Sequence, residues 1–246
     1  CDWGAVEDNA SLVGDTLAKQ LRLDRRTGVR NGLCSGTTVN AKTAHRLAVK
    51  DPRVFSQEIA GREKEYFIVF VLDRSYSMSD KNLDRETGSK IDVATQALAR
   101  FAVACEDLEI DVAITDFYGG DARLIKPPSV ETSYVQDSIL STETSGGTPL
   151  AESLSLARKL ADRDSKESII ITLTDGIPAN VEEVVDEIKK SYSPICSLTV
   201  ATDCNPNSPP ADAERLDEEY DQSTIVYDAQ DLDRRLDQFA SLLGAY

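Results

Sequence analysis

Asp73, Ser75 and Ser77 stand in an Asp-x-Ser-x-Ser arrangement directly after the apolar run Tyr66-Phe67-Ile68-Val69-Phe70-Val71-Leu72. One carboxylate and two hydroxyls on a tight turn suit a small hard cation, because Mg²⁺ prefers oxygen and keeps several waters when held by one or two carboxylates. The same residue types could instead supply a nucleophile, Asp73 or Ser75, given an activating base or a second metal. Further along the chain, Thr148 in Gly-Gly-Thr-Pro and Asp175 in Thr-Asp-Gly add a third hydroxyl and a second carboxylate. Singly, each residue has an ordinary explanation: Asp73 capping a turn, the serines satisfying loop backbone, Thr148 opening a helix, Asp175 closing its own glycine turn. Jointly, at the ends of neighbouring strands, they make two carboxylates and three hydroxyls for one cation.

The elements that must position them follow from hydrophobic pattern. Six of the seven residues from Tyr66 to Leu72 are β-branched or aromatic, which predicts a strand buried on both faces with Asp73 at its carboxyl end. From there strands and helices alternate, the pattern of a doubly wound, mostly parallel α/β sheet flanked by helices. The spacing predicts a helix from about Ile91 to Glu106, a strand over Ile110 to Phe117, and, past the Gly119-Gly120 turn, a short antiparallel edge strand over Arg123 to Lys126. A helix from Leu150 to Ala161 follows Pro149, then a strand over Ser168 to Thr174 and a helix over Val181 to Lys190. Beyond these come a strand at Ile195 to Ala201, a Pro-rich loop over Asn205 to Pro210, a short helix at Ala211 to Tyr220, a strand at Thr224 to Tyr227 and a last helix over Leu232 to Leu243. The first 62 residues form a short helical or irregular extension, with a helix over Ser11 to Leu23 and breaks at Arg25 to Gly28, Cys34 to Thr37 and Asp51-Pro52. Residues 63–246 form the main domain, onto which, or onto a partner, the extension is expected to dock.

Composition removes some function classes. With 43 acidic against 27 basic residues and a formal charge of -16, binding nucleic acid through its phosphates is not expected, and no basic cluster reverses that. The acidic excess would fit a protein kept soluble at high salt, although ordinary acidic proteins share it. The cysteines Cys1, Cys34, Cys105, Cys196 and Cys204 contain no CxxC pair, and their odd number opposes a complete disulfide framework. Cys105 and Cys196 read as free buried thiols, and a reduced, cytoplasmic setting is expected. No run of about 18 apolar residues and no secretion signal is visible, so membrane insertion is not expected. The sequence opens on Cys1 rather than methionine, which leaves room for an upstream targeting or regulatory segment.

Asp73, Ser75, Ser77, Thr148 and Asp175, in that order on that fold, resemble the von Willebrand factor A family over about Glu65 to Leu243. Its metal-ion-dependent adhesion site has the pattern Asp-x-Ser-x-Ser, then threonine, then aspartate. The resemblance implies Mg²⁺ or Mn²⁺ as the metal, with an Asp or Glu from a protein partner completing the coordination shell. Two carboxylates neutralise a divalent cation while leaving it a position that an acidic group can take. Asp116, at another strand end, either supports the ligands or serves a turn, and Arg74 and Tyr76 are expected to point towards solvent or a partner.

More narrowly, Ala44-His45-Arg46-Leu47-Ala48-Val49-Lys50-Asp51-Pro52-Arg53-Val54-Phe55, followed by Val71 to Met78, is similar to the carboxyl-terminal part of cobaltochelatase-type subunits, except that Tyr76 stands where that family has a small residue. That similarity implies a non-ATPase subunit working beside an AAA+ ring ATPase. The chain has no Gly-x-x-x-x-Gly-Lys-Ser/Thr phosphate loop, so ATP hydrolysis would belong to the partner, and no catalytic activity is expected of the chain by itself. Two alternatives stay open. A metal-dependent hydrolase or phosphotransferase would need a base, but the one histidine, His45, lies in the extension and reads as a packing or surface residue; there is also no Gly-x-Ser-x-Gly elbow. An extracellular adhesion domain is the other.

Overall fold

β4 (Tyr66–Asp73) is buried along almost its whole length, as its continuous apolar sequence requires, and takes a central place in a six-stranded sheet of order β6-β5-β4-β7-β8-β9. The computed structural model describes residues 3–24, 28–33, 38–39, 55–59, 65–83, 88–175, 178, 180–204, 216 and 218–240. β5 (Asp111–Tyr118), β7 (Glu167–Thr174), β8 (Ile195–Val200) and β9 (Gln222–Val226) continue the sheet in parallel. β6 (Asp121–Lys126) runs antiparallel at the edge, reached through Gly119 and Gly120 at φ 65° and 99°. Two successive residues at positive φ make the tight hairpin turn that glycine allows at little steric cost. The doubly wound, mostly parallel sheet expected from the sequence is therefore the observed fold.

Helices cover both faces. α2 (Lys90–Asp107) lies against one, where Phe101 meets Phe70 edge to face at 5.5 Å between ring centroids. α3 (Gln136–Leu140) and α6 (Asp231–Ala240) pack beside it. α4 (Leu150–Ala161) and α5 (Val181–Lys189) cover the other face, where Leu150, Leu154, Ala157, Val184 and Ile188 join Phe67, Val69 and Val71 in one core. Alternate β4 residues thus feed opposite cores, as the period of a strand dictates. The free cysteines Cys105 and Cys196 are buried, as expected.

Several expectations differ from the structure. α1 (Trp3–Asp24) starts earlier than the pattern predicts, and buries Val6, Ala10, Val13 and Leu17 at helical spacing. The segment after β6 carries a 3-10 turn at Thr132–Val135 and then α3, neither of which is long enough to show a period in sequence. The His45 reading, the Asn205 to Pro210 loop and residues 211–215 and 217 of the expected Ala211 to Tyr220 helix lie outside the described residues; residues 218–220, at that helix's expected end, form a turn instead.

By contacts, the chain divides into one unit of residues 1–19 and 65–246, and a second of residues 20–64. The second unit holds a three-stranded antiparallel sheet of β1 (Gly28–Leu33), β2 (Thr38–Val39) and β3 (Phe55–Ile59), in the order β1-β3-β2. The sequence reading placed no strands there. They are short, and Arg30, Asn31, Gln57 and Glu58 blur any alternation of apolar and polar residues.

β4 is the first strand of the main sheet, and the chain then builds outward on both sides of it, β5 on one and β7 on the other. The carboxyl end of β4 is thus a topological switch point, where diverging loops open a crevice.

Candidate metal centre

Asp73 is the last residue of β4 and is fully buried. Its Oδ1 accepts the Ser75 N–H at 2.7 Å, the Asx arrangement that turns the chain back over the strand end. Its Oδ2 accepts the Thr174 hydroxyl at 2.7 Å, and Thr174 is the last residue of the neighbouring β7. The turn continues as a short 3-10 helix, Tyr76–Ser79, with Met78 buried beneath it. This places the Ser75 and Ser77 hydroxyls 3.0 Å apart. Tyr76, between them, is 73% exposed, as expected of a residue facing solvent or a partner.

Thr148 arrives on a separate loop that is laced to this turn. Ser145 N–H donates to Arg74 O at 2.9 Å, Tyr76 N–H to Gly146 O at 3.3 Å, and Gly119 N–H to Ser145 O at 3.0 Å. Gly146 sits at φ 77°, and a Cβ there would lie 2.9 Å from Gly119 Cα and 3.0 Å from its carbonyl carbon. Only a glycine lets the two backbones meet so closely. Thr148 itself is buried two residues before α4, whose N-cap position is Pro149 rather than Thr148.

Arg74 corrects the expectation that it faces solvent or a partner. It is 2% exposed, its Nε lies 2.8 Å from Asp116 Oδ2, and its guanidinium donates to the carbonyls of Ser138 at 2.7 Å, Ile139 at 3.2 Å, and Ser141. Those carbonyls belong to the end of α3, where a cation meets the negative end of the helix. Burial pulls the Arg74 pKa down against the attraction of Asp116, yet a guanidinium stays charged. Asp116 also takes a forked pair of bonds from Arg123, at 2.9 and 2.7 Å. It is therefore the anion that holds Arg74, and through it the backbone next to Asp73, rather than a simple turn residue.

Asp175 follows β7 and is 4% exposed. Its Oδ2 lies 3.3 Å from the Lys90 ammonium, which also reaches Asp203 Oδ2 at 3.2 Å. Burial opposes the charge on Lys90, but Asp175 and Asp203 outweigh it and raise its pKa above the ordinary lysine value. Asp175 Oδ1 is buried and accepts no hydrogen bond among the described residues. Burial first, and the neighbouring Asp175 carboxylate second, push Asp73 up to about 6, against the hydrogen bonds of Ser75 and Thr174. A fully buried Asp73 whose ionisation is opposed by burial and by Asp175, beside a carboxylate with an oxygen that accepts no hydrogen bond among the described residues, suits a bound cation. The donors are all oxygen, as Mg²⁺ and Mn²⁺ accept. Among the described residues no group of three or more His, Cys, Asp or Glu could hold a metal, so a site here depends on hydroxyls as well as carboxylates.

Two participants escape sequence reasoning. Thr174 lies next to Asp175, and only the pairing of β7 with β4 shows that its hydroxyl serves Asp73. Lys90 is separated from Asp175 by 85 residues, and nothing local distinguishes it from a solvated lysine at a helix start.

Residues 68–177, a stretch that includes Asp73, Ser75, Ser77, Thr148 and Asp175, match the family model described as von Willebrand factor type A domain. No curated protein matches the sequence. In structure it is similar to the vWF domain of the type V pili tip protein Mfa5 from Porphyromonas gingivalis, with a TM-score of 0.59 at 10% identity over 74% of this chain and 96% of that one. The pilus adhesin SpaC from Lactobacillus rhamnosus GG gives 0.57 at 14% identity over 74% of this chain. This chain spans 31% of the SpaC chain. The SpRpn10 VWA domain gives 0.55 at 8% identity, over 71% of this chain and 95% of that one. At such identities the likeness is one of fold.

Proposed function

We propose that this chain is a divalent-metal-dependent protein-interaction module, in which Asp73, Ser75, Ser77, Thr148 and Asp175 hold Mg²⁺ or Mn²⁺ and a partner's Asp or Glu completes the shell. The observation that carries the reading is the buried Asp175 Oδ1, which accepts no hydrogen bond among the described residues, in a site shared with the fully buried Asp73. A bound cation would supply the positive charge that Asp73 lacks and that Asp175 meets only at its Lys90-facing oxygen, and an open coordination position for an acidic group. The protein's own part is to fix the oxygens. Thr174 and the Ser75 N–H aim Asp73, and the bonds from Ser145 and Tyr76 set the Thr148 loop against the serine turn. Exposed Tyr76 then lies on the rim, where a partner would pack.

The narrower reading, a non-ATPase subunit beside an AAA+ ring ATPase in the cytoplasm, rests on the Ala44 to Phe55 stretch, most of which lies outside the described residues. A second reading puts the same site in an extracellular adhesin. SpaC is a pilus adhesin and Mfa5 a pilus tip protein by name, which favours this setting without deciding it. Co-purification from the native host with Mg²⁺ present separates the two: a ring ATPase supports the first, a cell-surface or matrix protein the second.

The metal itself is tested on the intact chain after treatment with EDTA. Ligand at a hundredfold excess over Kd stabilises by about 2.7 kcal/mol, which raises Tm by about 5–10 °C in a chain of this size. MgCl₂ or MnCl₂ is expected to give that rise, and Asp73→Ala or Asp175→Ala to abolish it. A calorimetric titration of the wild type without binding heat or Tm change would falsify the metal reading. Phosphate-ester turnover that survives purification and is lost in Ser75→Ala would favour a hydrolase instead.

A further inference from the structure

We infer that Lys90 is an internal counter-cation that sets how tightly the Asp73–Asp175 centre takes its divalent metal. The inference rests on the metal-binding reading above. Lys90 opens α2, and its backbone N–H donates to Asp80 O at 3.1 Å, so the helix start fixes where its side chain begins. The side chain is 5% exposed, with Nζ 3.3 Å from Asp175 Oδ2, 3.2 Å from Asp203 Oδ2 and 3.9 Å from Asp80 Oδ2. A buried ammonium is tolerated only where carboxylates compensate it, so these anions hold it in place.

The consequence falls on Asp175. One of its oxygens faces the ammonium, and the other, Oδ1, is buried with no hydrogen bond among the described residues. A metal at the centre therefore meets a carboxylate whose charge is already shared with Lys90, and an approaching divalent ion is repelled by a fixed positive charge. Asp73 and Asp175 with Lys90 carry a formal charge of about -1 instead of -2, if all three are ionised. Lys90 thus weakens metal binding, and it leaves the loaded centre more positive towards a partner's carboxylate. Asp203 moderates this by drawing the ammonium towards the loop after β8, where it is 24% exposed.

A lysine that only braces the fold and a lysine that tunes the centre differ in the sign of one measurement. Lys90→Met should lower the Tm of the metal-free protein and yet tighten Mg²⁺ and Mn²⁺ binding by roughly ten- to hundredfold, since a unit charge 3.3 Å from a proposed ligand carboxylate is removed. Asp203→Asn leaves the ammonium to Asp175 and the more distant Asp80 and should weaken binding several-fold, an effect that shrinks in the Lys90→Met background if Asp203 acts through Lys90. Calorimetric Kd values for the intact chain, with circular dichroism and Tm of each EDTA-treated variant, read all of this. Binding that is unchanged or weaker in folded Lys90→Met overturns the inference. Should that variant not fold, unchanged or tighter binding in Asp203→Asn overturns it. A wild type that binds neither metal removes the metal reading itself, whereas a wild type that binds beside an indifferent Lys90→Met removes only the role of Lys90.

Discussion

Asp73 shows what a buried carboxylate does before any metal arrives. Held at about 6 by burial and by Asp175, above its ordinary 3.8, it keeps its proton in the metal-free native state at pH values where the unfolded chain has lost it. The sign follows directly: its contribution to stability is fully present below about pH 4 and is lost as pH rises through about 6. The loss amounts to about 3 kcal/mol at most, from the size of the shift. In EDTA, the Tm difference between wild type and Asp73→Asn should therefore move in favour of the asparagine variant as pH rises from about 4.5 to 7. On the proposed metal reading, Mg²⁺ would replace the proton and reverse the balance, so the Mg²⁺-induced rise in Tm should be largest above pH 6 and shrink below it. Scanning calorimetry of both proteins across that window checks this, and parallel curves in EDTA would show that Asp73 is not the titrating group. The residue types were legible because Asp-x-Ser-x-Ser and Thr-Asp-Gly are local patterns. Arg74 was misread because its partners, Asp116 and the carbonyls at the end of α3, are distant in sequence.

At the scale of elements, the site depends on three loops being fastened to one another as much as on any single ligand. The fastening point is Gly146, which is both in the left-handed region and in backbone contact with Gly119. Gly146→Ala should cost about 1–3 kcal/mol for the strained backbone alone, with more from displacing Gly119. Its sharper signature lies in the metal: a shifted 145–148 loop moves Thr148, so Kd for Mg²⁺ should rise while Asp73 and Asp175 stay intact. Thermal unfolding in EDTA paired with calorimetric titration separates the two effects, and a destabilised variant with wild-type Kd would mean that the loop does not position a ligand. The strands and helices of the sheet were legible because each buries a continuous face, so hydrophobic pattern and structure share one cause. The loop lacing was not, because hydrogen bonds between backbone groups leave no trace in residue type. Nor were β1, β2 and β3, whose pairing depends on register rather than on a marked apolar pattern.

For the whole molecule the governing quantity is the formal charge of -16. Such a chain repels itself when compact, and it would also repel a partner of net negative charge that offered the metal its carboxylate. The two effects operate over different distances. A metal–carboxylate bond acts at contact, whereas the net charge acts over a Debye length, which falls from about 30 Å at 0.01 M salt to about 8 Å at 0.15 M. Added salt should therefore relieve the long-range repulsion first. In EDTA, Tm is expected to rise as NaCl increases from about 0.01 to 0.3 M, while Kd for Mg²⁺ weakens over the same range because the field that concentrates cations is screened. Calorimetry in a salt series, with the same sodium concentration at each paired point, measures both. A Tm that stays flat or falls would mean that the acidic residues are already compensated by ion pairs such as Arg158 with Asp162 and Glu187, leaving little net repulsion to screen. If Tm rises as expected, an acidic partner should associate faster with added salt, the opposite of a complex steered by complementary charge, because the metal provides the bond while the rest of the surface opposes the approach.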